Sequence, residues 1–113
     1  MIAPSLPLDE ESRMERLRIL GLLDREPIDQ LDRLTRLITR HFSLPIAMVS
    51  LTDVNRQWFL ARTGVALCEI SREHSFCGHA ILRPDIMQVP DARLDPRFAD
   101  NPLVTEEPHV VFY

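Results

Sequence analysis

Four soft donor side chains fall within twelve positions of this chain: Cys68, His74, Cys77 and His79, the last three in the stretch "HSFCGHAI". Three kinds of chemistry suit such residues. A structural metal site brings its ligands in closely spaced pairs so that two knuckles close a tetrahedron. The spacing C-x5-H-x2-C-x-H matches no such pattern, and on a helix Cys77 and His79 point about 200° apart, so one ion cannot take both. A thiol nucleophile needs help to become a thiolate, and a helix N-terminus with His74 three residues earlier would supply it. The plain alternative is that Cys77, between Phe76 and Ile81, packs as a small apolar residue. His79 is either a helix residue with a satisfied hydrogen bond or a polar contact at a pocket's edge. Gly78, which costs about 1 kcal/mol against alanine inside a helix, is either slack or a place of close approach. A Cys68–Cys77 disulfide would tie a loop to a helix and is opposed in a reducing compartment.

The elements that must position these residues can be read from periodicity. "LDEESRMERLRILG" predicts a helix, with Asp9, Glu10 and Glu11 in its first turn, arginines later, Gly21 to close it, and a narrow stripe of Met14, Leu17 and Leu20. A second helix follows Pro27, with Leu31, Leu34, Leu37, Ile38 and Phe42 at helical spacing and Asp29–Arg33 and Asp32–Arg36 pairs outside. From Pro45 the period changes. "IAMVSLT" reads as a buried strand, "DVNR" as a turn, and "QWFLART" as its antiparallel partner ending at Gly64. Residues 65–74 read as irregular, "SFCGHAIL" as a short helix, "IMQVP" as a third strand limited by Pro90, and "HVVFY" as a fourth. Between them Asp95 caps and Pro96 starts a single helical turn. A strand ending the chain needs neighbours, so something is expected to follow Tyr113 or to pair with it.

Composition narrows the function classes. One domain fits 113 residues, of which 45% are hydrophobic and 27% charged, an ordinary folding composition. Thirteen arginines and no lysine face seventeen acids, with signs interleaved and a net charge of -4, which argues against nucleic acid as a partner. No apolar run reaches the roughly 18 residues of a membrane span, and the N-terminus has no signal-peptide pattern. A cytoplasmic location, with Cys68 and Cys77 as reduced thiols, is the simplest expectation.

The succession "RLRILGLLD", "LDRLTRLI", "PIAMVSLTDVNRQWF", "SREHSFCGHAI", "VPDARLDPRFADNPLV" and "EPHVVFY" resembles the GAF domains of bacterial signalling proteins, which stand at the N-terminal input end of sensor histidine kinases and diguanylate cyclases. The resemblance runs from about Pro7 to Tyr113. It implies an α+β (α/β) fold, a GAF-like, profilin-like central antiparallel sheet flanked by helices, whose first and last helices form a dimer interface. One partial domain would fill residues 1–113, with N-terminal helices over 8–42 and the sheet and pocket region over 45–113. Ligands of the family sit between the sheet and the crossing loops. By that resemblance Phe76, Cys77 and His79 border the pocket, Asp91, Arg97, Phe98 and Asn101 lie on the loop closing it, and Trp58 is a strand residue beside it. Phe76, Phe98 and Trp58 read equally well as core, and Asp91 and Asp95 as turn and cap residues.

Departures from the family sharpen this picture. The chain ends where the family continues into a glycine-containing strand, a hairpin, another strand and a last helix. The sheet is therefore expected to be incomplete at the C-terminus, as in a fragment of a longer polypeptide, a swapped assembly or a domain with a pairing partner. Val111 stands where the family usually has arginine, which argues against anion binding, and Glu106 where glycine is usual. The cysteine motif of methionine sulfoxide-reducing relatives is missing, the Cys-His pair of bilin-binding relatives is split by Gly78, and cyclic-nucleotide binders need a lysine that this chain lacks. The expectation is a non-catalytic sensory module without a cofactor or metal. It would bind an unknown small ligand, form a homodimer through its N-terminal helices, and control an output domain such as a histidine kinase or diguanylate cyclase. A thiol redox protein using Cys77, with or without Cys68, and a structural dimerisation module are the alternatives.

Overall fold

The computed structural model describes all residues from Met1 to Tyr113. Helix α1 spans Glu10–Leu20, with Glu10 and Glu11 in the first turn and Arg18 in the last, as the helix dipole favours. It ends at Gly21, whose left-handed backbone (φ 62°) lets its N–H reach the Arg18 carbonyl. Met14 and Leu17 are buried, whereas Leu20, expected on the same stripe, is 63% exposed. Helix α2 spans Asp29–Phe42 and closes through Ser43 in the left-handed region (φ 53°), with the Leu44 N–H on the Thr39 carbonyl. Of the two ion pairs expected along it, Asp29–Arg33 closes at 3.0 Å and Asp32–Arg36 does not form.

Strands β1 (Ala47–Thr52), β2 (Arg56–Thr63) and β3 (Glu69–Ser71) form an antiparallel sheet in the order β1-β2-β3. The β1–β2 hairpin turns through Asp53, whose N–H meets the Arg56 carbonyl at 2.7 Å. Between Val49 and Ser50 the register slips, pairing Val49 with Ala61 and Ser50 with Phe59 and leaving Leu60 as the extra residue of a bulge. β2 ends at Gly64 (φ 82°), where a Cβ would stand 1.9 Å from the Pro45 carbonyl oxygen, so only glycine fits. α2 packs on β1 and β2, and the fully buried Thr35 joins its hydroxyl to that of Thr63 at 2.8 Å.

The sheet differs from the expectation in two places. β3 lies inside residues 65–74, read above as irregular; it is only three residues long and pairs on one side alone, too short for an alternation to register. The expected strands over "IMQVP" and "HVVFY" do not join the sheet. They meet each other instead, Val89 and Tyr113 exchanging N–H···O bonds of 2.7 and 3.0 Å and Ala92 donating to Val111 at 2.6 Å. Pro84 and Pro90 bracket the first segment and limit it to the five residues between them.

The short helix α3 (Phe76–Ala80) follows a 3-10 turn at Arg72–His74, and α4 (Pro102–Thr105) follows a second at Ala92–Leu94. The Asp95 carboxylate accepts from the Arg97 N–H, capping a turn that closes through Ala99 without becoming a helix. Phe76, Val89, Ala92, Phe98 and Val104 form the apolar core on this side, with the Phe76 and Phe98 rings stacked at 4.0 Å. The molecule is thus α+β, a three-stranded antiparallel sheet with α1 and α2 before it and the short helices of the C-terminal half around it. No helix is long and apolar enough to cross a membrane.

Candidate functional site

A cavity of about 580 Å³ opens between β1, β2, α3 and the segment from Pro108 to Tyr113. Fifteen of its twenty lining residues are hydrophobic, and none is Asp, Glu, Lys or Arg. Such a volume and lining suit a small organic molecule. The alternation of β2 explains the wall: Gln57 and Phe59 face the cavity, and Trp58 between them belongs to the opposite face.

A polar cluster stands in this apolar wall. Ser75 caps α3, its oxygen accepting from the Gly78 N–H at 2.9 Å and its hydroxyl donating to the Gln57 side-chain carbonyl. The Gln57 amide then donates to the Ser50 Oγ at 3.0 Å and to the Cys77 Sγ at 3.1 Å. The Tyr113 hydroxyl lies 3.1 Å from the same sulfur and Ser50 Oγ 3.4 Å from it. Burial, with the Cys77 thiol beside it, holds the Tyr113 hydroxyl above its ordinary pKa, so it stands as a neutral phenol. The hydrogen-bond partners of Cys77 are thus two hydroxyls and an amide, and no imidazole is among them. Both cysteines are free, Cys68 exposed and Cys77 half-buried. No three His, Cys, Asp or Glu side chains converge as metal ligands.

Of the eight residues singled out from the sequence, Phe76 and Cys77 line the cavity. Phe98 stands behind Phe76 as its stacking partner. The His79 ring turns away, Nε2 lying 2.8 Å from the Ile2 carbonyl oxygen and the ring meeting Phe98 edge-on. Asp91 caps the Ala92–Leu94 turn and pairs with Arg93; Arg97 pairs with Asp95 and lies over the Phe98 ring. Asn101 caps α4 and donates to the His74 carbonyl at 2.9 Å. Phe98 and Asn101 therefore brace the wall from behind, whereas Asp91 and Arg97 are engaged within their own turns. Ser50, Gln57, Ser75 and Tyr113, which the sequence reading passed over, build the polar cluster. Gln57 carried a signal, being a polar residue in phase with Phe59 on one strand face.

The wall is also tied to α1. Arg72, buried and three residues before Ser75, holds both oxygens of Glu10 at 2.6 and 3.1 Å and donates to the Asp53 carbonyl at 2.9 Å. Arg13 grips the same carboxylate at 2.9 and 3.0 Å and reaches the Thr52 carbonyl at 2.6 Å. These guanidinium contacts, Arg72 first, pull the Glu10 pKa down to about 2. Ahead of α1, the first residues run across α3: Pro4 occupies the space a Gly78 Cβ would need, at 2.7 Å, and the Ile2 N–H meets the Arg97 carbonyl at 3.1 Å.

Comparison with known proteins agrees with this architecture. Residues 26–113 match the GAF domain family. Over all 113 residues the chain is 42% identical to a cyclic di-GMP phosphodiesterase of Pseudomonas aeruginosa, and it spans 19% of that relative's length. The chain belongs to the GAF domain family.

Proposed function

We propose that this GAF domain is a non-catalytic sensory module that binds a small molecule in the cavity between β1, β2 and α3 and thereby controls an output domain in a longer polypeptide. The observation that carries the reading is the cavity itself: about 580 Å³, apolar, with hydrogen-bonding groups gathered at one place in the wall. The relative's name makes cyclic di-GMP hydrolysis the output to test, with catalysis outside this domain. Ligand contacts at Cys77 and Phe76 bear on α3, and the Arg72–Glu10 link joins the segment before α3 to α1. We further propose that α1 and α2, whose Ile19, Leu20 and Leu37 are exposed, pair with a second copy and carry the change onward.

The test is cyclic di-GMP hydrolysis by the full-length polypeptide against small-molecule fractions of a cell extract. Ala47, in the cavity wall, is replaced by Trp to fill the space. At least one fraction is expected to change the native rate at least about twofold, and the Ala47→Trp form is expected to ignore it. A native rate indifferent to every fraction overturns the reading.

A further inference from the structure

The chemistry of the wall narrows what the cavity can take. A phosphate or carboxylate leaving water needs charged partners or several aimed donors. None of the lining residues is Arg or Lys, and Val110, Val111 and Phe112 are among them. The lone imidazole, His109, belongs to a largely exposed side chain at the rim, 3.8 Å from Glu107. An anion entering this space would find no guanidinium or ammonium partner.

The wall nonetheless has hydrogen-bonding capacity to spare. Gln57 has no donor to spare: its carbonyl accepts from Ser75 and its amide hydrogens go to Ser50 and Cys77. The Tyr113 hydroxyl has the Cys77 sulfur as its protein partner, and a thiol is a weak donor and a weak acceptor. Ser50 is in the same position, accepting from Gln57 while its own proton has the sulfur at 3.4 Å. Two hydroxyls thus share one sulfur, a weak acceptor that a ligand oxygen would outcompete. The lining also includes the aromatic residues Phe59, Phe76 and Phe112, with the Phe76 ring 5.1 Å from that of Tyr113.

We infer that the cavity takes an uncharged, largely apolar or aromatic molecule carrying one hydroxyl or carbonyl oxygen, with that oxygen seated between Tyr113 and Ser50 at Cys77. The inference rests on the cavity being a ligand site, as proposed above. It makes cyclic di-GMP, with its two phosphates, an output substrate and not the molecule sensed here.

Equilibrium dialysis of the full-length polypeptide tests this with 2-naphthol, naphthalene, 2-naphthyl phosphate and cyclic di-GMP, each repeated with the Ala47→Trp form to show that binding is in the cavity. 2-Naphthol is expected to bind one per chain, about threefold to tenfold tighter than naphthalene, as one hydrogen bond would give. The phosphate ester is expected to bind at least about tenfold more weakly than 2-naphthol. Tyr113→Phe should remove most of the naphthol advantage and leave naphthalene unchanged, and Ser50→Ala should do the same to a smaller degree. Equal losses for both probes would make Tyr113 a mere wall and overturn the anchor. Naphthyl phosphate or cyclic di-GMP binding as tightly as 2-naphthol, and lost in Ala47→Trp, would overturn the ligand class while leaving the sensory reading standing. No saturable binding by any probe would overturn the inference together with the ligand site beneath it.

Discussion

Single residues fix the backbone beside the cavity. Gly64 turns the chain out of β2 with φ 82° and leaves no room for a Cβ against the Pro45 carbonyl, and Pro45 itself lines the cavity. Gly21 also has positive φ, 62°, but open space around it. Gly21→Ala should therefore cost about 1 kcal/mol, the ordinary penalty of a left-handed alanine. Gly64→Ala adds a backbone collision and should cost more than about 2 kcal/mol. Urea denaturation of the two variants side by side checks this, and equal costs would mean the Pro45 contact yields freely. Cys77 offers a second check at this scale. Its sulfur is half-buried among Ser50, Gln57 and Tyr113, whereas Cys68 is exposed. Iodoacetamide at neutral pH should label Cys68 at least about tenfold faster than Cys77, because burial without a neighbouring base leaves a thiol inert. A Cys77 that reacts first would favour the redox alternative.

At the scale of elements, the Arg72–Glu10–Arg13 cluster joins α1 to the β1–β2 turn and to the segment entering α3. Glu10 has a folded pKa of about 2 against 4.5 for the free group. A carboxylate depressed on folding stabilises fully above its unfolded pKa, and that contribution fades as pH falls from about 4.5 towards 2. Glu10→Gln should thus cost about 1–3 kcal/mol at pH 7 and much less at pH 3, flattening the acid limb of a stability-against-pH curve. Parallel curves for the two forms would show that the cluster contributes nothing through charge. These elements were unequally legible in the sequence. α1, α2 and the β1–β2 hairpin announce themselves through long periodic runs with caps and turn residues, and Phe76 and Cys77 fall on a short helix that the length of "SFCGHAIL" and its stop before Pro84 make legible. β3 was too short to read, and the run "HVVFY" has strand composition but only a partial partner at Val89. The cavity's polar cluster joins Ser50, Gln57, Cys77 and Tyr113 across separations of 7 to 36 positions, which no local spacing encodes. His79, Arg97 and Asn101 look like ligand residues in isolation because the contacts that occupy them, with Ile2, Asp95 and His74, are visible only after folding.

For the whole molecule, the question is what covers the N-terminal helices. Thr35 faces the sheet, fully buried, and Leu37 lies about 200° around α2 from it, so this leucine points directly away from the body and is 62% exposed. Leu34, one turn earlier, is exposed beside it, and Ile19 and Leu20 leave a similar apolar end on α1. An apolar stripe on the outer side of a helix gains nothing within this chain, since neither intramolecular packing nor solubility rewards it. A second copy would bury it, and a symmetric helix pair is the commonest way for one surface to satisfy itself. On the proposed pairing of copies through α2, Leu37→Glu is expected to weaken self-association at least about tenfold by placing two carboxylates against each other, while moving unfolding stability by less than about 0.5 kcal/mol, as for other exposed sites. Sedimentation equilibrium of the native and substituted proteins, paired with urea denaturation, separates the two effects. Unchanged association of the Leu37→Glu form would rule out the α2 face as the contact between copies, and a large loss of stability would mean that Leu37 packs within the fold and not against a partner.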